Sequence, residues 1–150
     1  MSSILVLYHS QEHGNTALMA EAVAEGARAA GAEVTLINAN ERRITMDEYR
    51  AFDAVAFGTP DYFSYIAGTM KTFLDDWYIA KMSNPARLTD KPYALFISHG
   101  DGGRARQPFE ELFSRMGTKV GATVASQRRP TPAILEACRA LGQQLAQAVH

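Results

Sequence analysis

A chain of 150 residues is long enough for one domain around one core and too short for two ordinary ones. Hydrophobic residues at 47% and charged residues at 21% describe a globular protein, and a net charge of −1 supplies no field that would draw it to nucleic acid or a membrane surface. One cysteine, Cys138, excludes an internal disulfide and a cysteine-only zinc site, which fits a reducing, cytoplasmic setting.

Taken in chain order, Ile4 to Tyr8 is a short continuous apolar run, as in a strand buried on both faces. No basic region precedes it, so it reads as a strand and not as a signal peptide. No apolar run approaches the ~18–20 residues of a membrane span. A polar loop, His9 to Thr16, leads into a helical pattern from Ala17 to Ala30, and Gly31 closes that helix. Glu33 to Ile37 is the second strand. Asp47 to Arg50 makes one helical turn. Asp53 to Thr59 is the third strand, and Pro60 starts the loop that runs to Tyr65. A helix follows over 67–77, with Ala67, Met70, Phe73, Leu74 and Trp77 on its core face. Residues 84–91 form a surface connection. Pro92 to Ser98 is the fourth strand, and His99 to Arg104 is a glycine-rich loop. Phe109, Leu112, Phe113 and Met116 mark the next helix, 118–125 the fifth strand, and 132–149 the last helix, in which Cys138 is expected to be buried.

Strands alternating with helices predict a parallel sheet covered on both faces, here as one domain over residues 1–150. With right-handed crossovers, five strands are most economically arranged in the doubly wound order 2-1-3-4-5. Connections from strands 1 and 3 then leave to opposite faces and open a crevice at their carboxyl ends. Three loops reach it: Ser10–Thr16, Pro60–Ile66 and His99–Arg104.

The first loop precedes a helix N-terminus, where free N–H groups and the dipole favour phosphate. It lacks the G-x-G-x-x-G of a dinucleotide site and the Gly-Lys-Ser/Thr of a nucleoside triphosphate loop. It also lacks a phosphatase cysteine and the aspartates of a phospho-receiver. What remains is a loop that holds a phosphate monoester through Ser10, Asn15 and Thr16, with Gly14 allowing close approach and no cation required. Helix capping by Ser10 or Asn15 is the competing reading. Glu12 must point outward if phosphate binds. In the second loop, Tyr62, Phe63 and Tyr65 offer a wall for a planar ring or a subunit contact. Asp61 is either a turn residue or one that presents its backbone to a ligand. Gly100, Gly102 and Gly103 point to backbone close to a ligand. His99 is a candidate proton donor. Arg104, Arg106, Arg128 and Arg129 read as a solvated basic face before they read as a nucleotide site.

With these motifs in hand, the chain resembles the flavodoxin-like family over nearly its whole length, and most closely its quinone-reductase branch, the tryptophan-repressor-binding-protein type. The resemblance rests on Leu5-Val6-Leu7-Tyr8-His9-Ser10 with Gly14-Asn15-Thr16, on Phe57-Gly58-Thr59-Pro60 with Ala67 to Asp75, and on Ser98 to Gly103. It implies a three-layer α/β sandwich and bound FMN. It places the phosphate on Ser10, Gln11, His13, Gly14, Asn15 and Thr16. It sets the isoalloxazine against Thr59, Pro60, Asp61, Tyr62, Phe63 and Ser64, with its far edge at Ser98, His99, Gly100, Asp101 and Gly103. The expected activity is transfer of electrons from NADH or NADPH through FMN to a quinone or similar acceptor. The alternatives are a single-electron carrier between redox proteins and a flavin-binding regulatory module. No metal is expected. The aromatic loop could pack across a two-fold axis, which leaves a homodimer open as one assembly.

Overall fold

In the computed structural model, which describes residues 1–149, strand β1 (Ser3–Tyr8) shows why a continuous apolar run is needed. Ile4 and Val6 face one side of the sheet, Leu5 and Leu7 the other, and all four are fully buried. Helices α1 (Asn15–Ala29) and α5 (Pro132–Gln147) cover the Ile4–Val6 face. Helices α2 (Met46–Arg50), α3 (Gly68–Ser83) and α4 (Arg106–Phe113) cover the other. There Phe57 packs among Tyr49, Phe73, Tyr93 and Phe113, with ring centroids 4.6–6.5 Å away. Trp77 is buried beneath α3 and donates its indole N–H to Leu88 O at 2.9 Å.

The sheet runs β2 (Glu33–Asn38), β1, β3 (Ala54–Pro60), β4 (Lys91–His99), β5 (Gly117–Lys119), all parallel, as the doubly wound order predicts. Strand β6 (Val124–Gln127) also pairs with β4, in line beyond β5. Helices α1 and α5 cross with their backbones in contact. A Cβ on Gly26 would stand 1.8 Å from Arg139 O, and one on Gly142 1.9 Å from Val23 O. Among the described residues no helix is long and apolar enough to cross a membrane. Cys138 is buried, as expected, and burial pushes its thiol up to about 12.

Three sequence expectations need correction. The fifth strand is not continuous over 118–125. Gly117 faces Lys91 and Val124 faces Phe96, so seven steps of the outer strand span five of β4. The excess bulges out around Gly121, whose φ is +68°. Helix α3 continues to Ser83 although its apolar stripe ends at Trp77, because nothing breaks the backbone ladder before Asn84-Pro85. Tyr78, Ile79 and Met82 are consequently exposed. Pro60 does not begin the loop but ends β3, opposite Ser98. The missing N–H costs no ladder bond. His9 N–H donates to Gly58 O and Asp61 N–H to Ser98 O, so Pro60 turns its nitrogen toward β1 beyond that strand's end.

Candidate functional site

At the carboxyl ends of β1, β3 and β4 lies a crevice of about 670 Å³, a cofactor-sized volume. Its lining comes from the first loop (Ser10 to Thr16), from Pro60, Asp61 and Tyr62, from Ser98, His99 and Gly100, and from Arg128 and Arg129 after β6.

The first loop is held by its ends and left open in the middle. Asn38, at the end of β2, accepts Ser10 N–H on Oδ1 (3.1 Å) and donates Nδ2–H to Ser10 O (2.9 Å). Ser10 Oγ accepts the Ala17 amide at 3.2 Å. The capping reading therefore holds for Ser10, yet its hydroxyl proton is left to donate into the crevice. Asn15 caps nothing. Gly14, at φ +71°, is the residue at which α1 starts, and it has no side chain with which to cap it. The backbone N–H groups of Gln11, Glu12, His13, Asn15 and Thr16 find no acceptor among the described residues. This row of unengaged donors at the positive end of a 15-residue helix is suited to a phosphate. Thr16 and Ser98 are buried and share a 2.7 Å hydrogen bond that ties α1 to β4. One of their two hydroxyl protons stays available. Glu12 is exposed at the lip, at φ +47°. The Tyr62 phenol is pushed up by burial first and by the Glu12 charge second.

The second loop is a tight turn in which Tyr62 and Tyr65 exchange both backbone hydrogen bonds, at 3.0 and 3.1 Å. Phe63 (φ +56°) and Ser64 (φ +62°) occupy the two left-handed positions of a type I′ turn, where Asn-Gly is the usual pair. Tyr62 alone of the three aromatics lines the crevice. Phe63 is fully exposed at the tip. Asp61 is a turn residue and more: its carboxylate accepts Ser64 N–H (2.9 Å) and Ala105 N–H (3.0 Å), which joins the second loop to the third.

In the third loop His99 Nδ1–H donates to Gly100 O at 2.8 Å, so Nε2 is the nitrogen left to hold or pass a proton. Gly103, at φ +63°, lies against that end of the ring. A Cβ there would be 3.1 Å from Nε2, so this glycine makes room for His99 rather than for a ligand. Asp101 points to solvent and pairs with Arg128 at 2.9 Å.

Of the residues singled out from sequence, Ser10, Gln11, His13, Gly14, Asn15, Thr16, Pro60, Asp61, Tyr62, Ser98, His99 and Gly100 converge on the crevice. Thr59, Phe63, Ser64, Asp101 and Gly103 do not line it. The Thr59 side chain is buried on the α3 side, where it accepts Ala67 N–H and donates to Pro60 O. Sequence reasoning passed over Asn38 and His9, and gave Arg128 and Arg129 to a solvated face. His9 is 4% exposed, with Nδ1 2.7 Å from Thr69 Oγ1 and Nε2 2.7 Å from Gln11 Oε1. Its ring stands edge-on to Tyr62 at 5.6 Å. A polar residue just past the end of a buried strand, on the same face as Leu5 and Leu7, was the available signal.

The Flavodoxin family model matches residues 6–142. Among solved structures, the chain is similar to a flavodoxin from the domain Archaea, at 29% identity and TM-score 0.83 over 98% of each chain. It is similar to a flavodoxin, WrbA-like protein, from Agrobacterium tumefaciens at 28% identity and TM-score 0.77, covering 99% of this chain and 98% of that one. Rubredoxin oxygen:oxidoreductase from the anaerobe Desulfovibrio gigas shares the fold, at 23% identity and TM-score 0.84. There the match covers 98% of this chain and 36% of that one.

Proposed function

The chain belongs to the flavodoxin family, whose members bind FMN, and from that premise we propose that its crevice holds FMN and serves an oxidoreductase that takes electrons from NADH or NADPH to a quinone or similar small acceptor. One observation carries the reading: the unengaged donors of Gln11, Glu12, His13, Asn15 and Thr16 and the ring of Tyr62 line the same crevice. They fit a planar ring bearing a phosphate monoester. Bound FMN would supply the redox chemistry, accepting two electrons from a nicotinamide and returning them to the acceptor.

The chain's own residues bind, orient and move protons. Ser10 O–H and the amides of Gln11, Glu12, His13, Asn15 and Thr16 anchor phosphate without a cation, each bond to it contributing about 1.5–3 kcal/mol. Tyr62 provides an aromatic face. His99 Nε2 stands at the rim to deliver a proton to a reduced acceptor. Arg129 at the same rim, beside Arg128 in its pair with Asp101, supplies positive charge for a substrate bearing phosphate. The reductase reading over a carrier rests on those arginines, on a Gly100–Gly103 loop with no aromatic to cover the ring, and on a net charge of −1, which gives little steering toward a basic protein partner. The single-electron carrier is the second reading, favoured by the likeness to the archaeal flavodoxin. The exposed Phe63 supports a contact with a second copy of the chain, and the lone buried cysteine supports a cytoplasmic setting.

The test is anaerobic mixing of FMN-loaded protein with NADH or NADPH, followed by a quinone. Rapid bleaching of the visible absorbance and its return on adding quinone are expected. No bleaching by either nucleotide, with reduction at an electrode in two resolved one-electron steps, overturns the reductase in favour of the carrier. Failure of the protein to quench FMN fluorescence overturns both.

A further inference from the structure

Among the described residues, His9 is a buried titratable side chain behind the crevice wall to which the proposed chemistry assigns no role. It joins three elements. Its Nε2–H donates to Gln11 in the first loop, its Nδ1 meets Thr69 in the first turn of α3, and its ring supports Tyr62 in the aromatic loop. Gln11 and Tyr62 line the crevice, whereas His9 stands behind them.

The two 2.7 Å contacts constrain the ring's orientation without fixing its charge. With the Gln11 carbonyl oxygen facing it, Nε2 carries a hydrogen in either protonation state. Thr69 Oγ1 is a hydroxyl, so it donates to Nδ1 of the neutral ring and accepts from Nδ1–H of the imidazolium. A proton can therefore be added to His9 with both hydrogen bonds kept and the loop geometry unchanged. What the imidazolium lacks is a buried counter-charge. The ionisable groups on the elements around it are Glu12 and His13 on its own loop, Asp61, Tyr62 and Tyr65 on the aromatic loop, Lys71, Asp75 and Asp76 on α3 before Trp77, Arg43 beside Thr69, and Glu41 beyond β2. Asp61 is engaged by two amides, Lys71 is paired with Asp75, Asp76 is paired with Arg43, and Glu12 is exposed. A phosphate dianion on the Gln11–Thr16 amides would supply the missing charge.

We propose that His9 is a positioning residue that couples the first loop to the aromatic loop, and that a phosphate ester bound in the crevice is taken up together with a proton on His9. The inference rests on FMN binding at this crevice and adds a linkage to it. Because linkage is reciprocal, protonation of His9 tightens the ester, so its contribution to affinity grows as the pH falls. Riboflavin, which carries no phosphate, is bound without this dependence.

The experiment is calorimetric titration of FMN and of riboflavin in buffers of different ionisation enthalpy, using wild type and His9→Gln. Wild type is expected to take up a larger fraction of a proton per FMN than His9→Gln. Its affinity advantage over His9→Gln should grow roughly three- to tenfold from pH 8 to pH 6. Equal uptake in wild type and His9→Gln, or equal uptake with riboflavin, overturns the inference while leaving FMN binding intact. No binding of FMN by wild type overturns the functional reading instead. If His9→Gln does not fold, the wild-type histidine ring resonances decide. A buried ring that gains a proton on adding FMN at constant pH supports the linkage, and one that does not overturns it.

Discussion

The Asp61 carboxylate accepts the Ala105 amide at 3.0 Å, which fastens the loop after β3 to the start of α4 across 44 residues of chain. The same carboxylate accepts Ser64 N–H, so one side chain holds two walls of the crevice. Asp61→Ala leaves both amides without that acceptor. It is expected to cost about 1.5–3 kcal/mol, the range for a bond to a charged group, and to weaken FMN binding. Urea unfolding with and without FMN checks both effects. An unchanged midpoint would show that the clamp contributes nothing.

Ser10→Ala removes the acceptor for the Ala17 amide and the hydroxyl donor at the crevice. FMN affinity should fall about tenfold or more, from the loss of one bond of ~1.5–3 kcal/mol to a charged group. Riboflavin affinity should stay the same. Fluorescence-quenching titrations with the two flavins distinguish phosphate anchoring from general loosening, in which both affinities would drop.

Phe63 and Ser64 hold left-handed backbone that suits Asn and Gly, and the Phe63 side chain buries nothing. Replacing the pair by Asn and Gly should raise stability by about 1–2 kcal/mol through relief of backbone strain. Thermal unfolding reads this directly. A loss of stability would mean that the Phe63 ring makes a stabilising contact in solution, and a concentration-dependent loss would assign that contact to a second copy of the chain.

Lys91 is buried beneath α2, where Nζ donates to the carbonyls of Arg50 and Phe52 and stands over the Tyr49 ring at 5.2 Å. Burial lowers its ammonium from the ordinary 10.5 to about 8. Between those values the unfolded chain binds the proton that the folded chain has lost. This group therefore makes stability rise as pH climbs from about 8 to 10.5. Lys91→Met should abolish that rise, seen as a flatter curve of urea midpoint against pH over this window. Equal slopes in the two proteins would refute the assignment.

The alternation of strands and helices, the apolar β1 and the polar first loop were legible because each is a local pattern. The split of the outer strand into β5 and β6 was not, since a bulge is defined only by register against β4, as the pairings Gly117–Lys91 and Val124–Phe96 show. Helix α3 ran past its apolar stripe because helix propagation needs the absence of a breaker, not a buried face, at Tyr78, Ile79 and Met82.

By itself the sequence determined the doubly wound topology and the three loops that meet at its switch point, because hydrophobic period and chain order follow from covalent neighbours. Which side chains in those loops face the crevice was decided only by tertiary structure. Thr59 at the end of β3, and Phe63 and Asp101 in the right loops, point elsewhere, to Ala67, to solvent and to Arg128. His9 lies within the first motif without a role of its own and Asn38 lies in no motif, yet they hold the first loop in shape through contacts 60 and 28 residues away in sequence. Direction and hydrogen-bond partnership depend on groups remote in the chain, and packing alone brings those groups together.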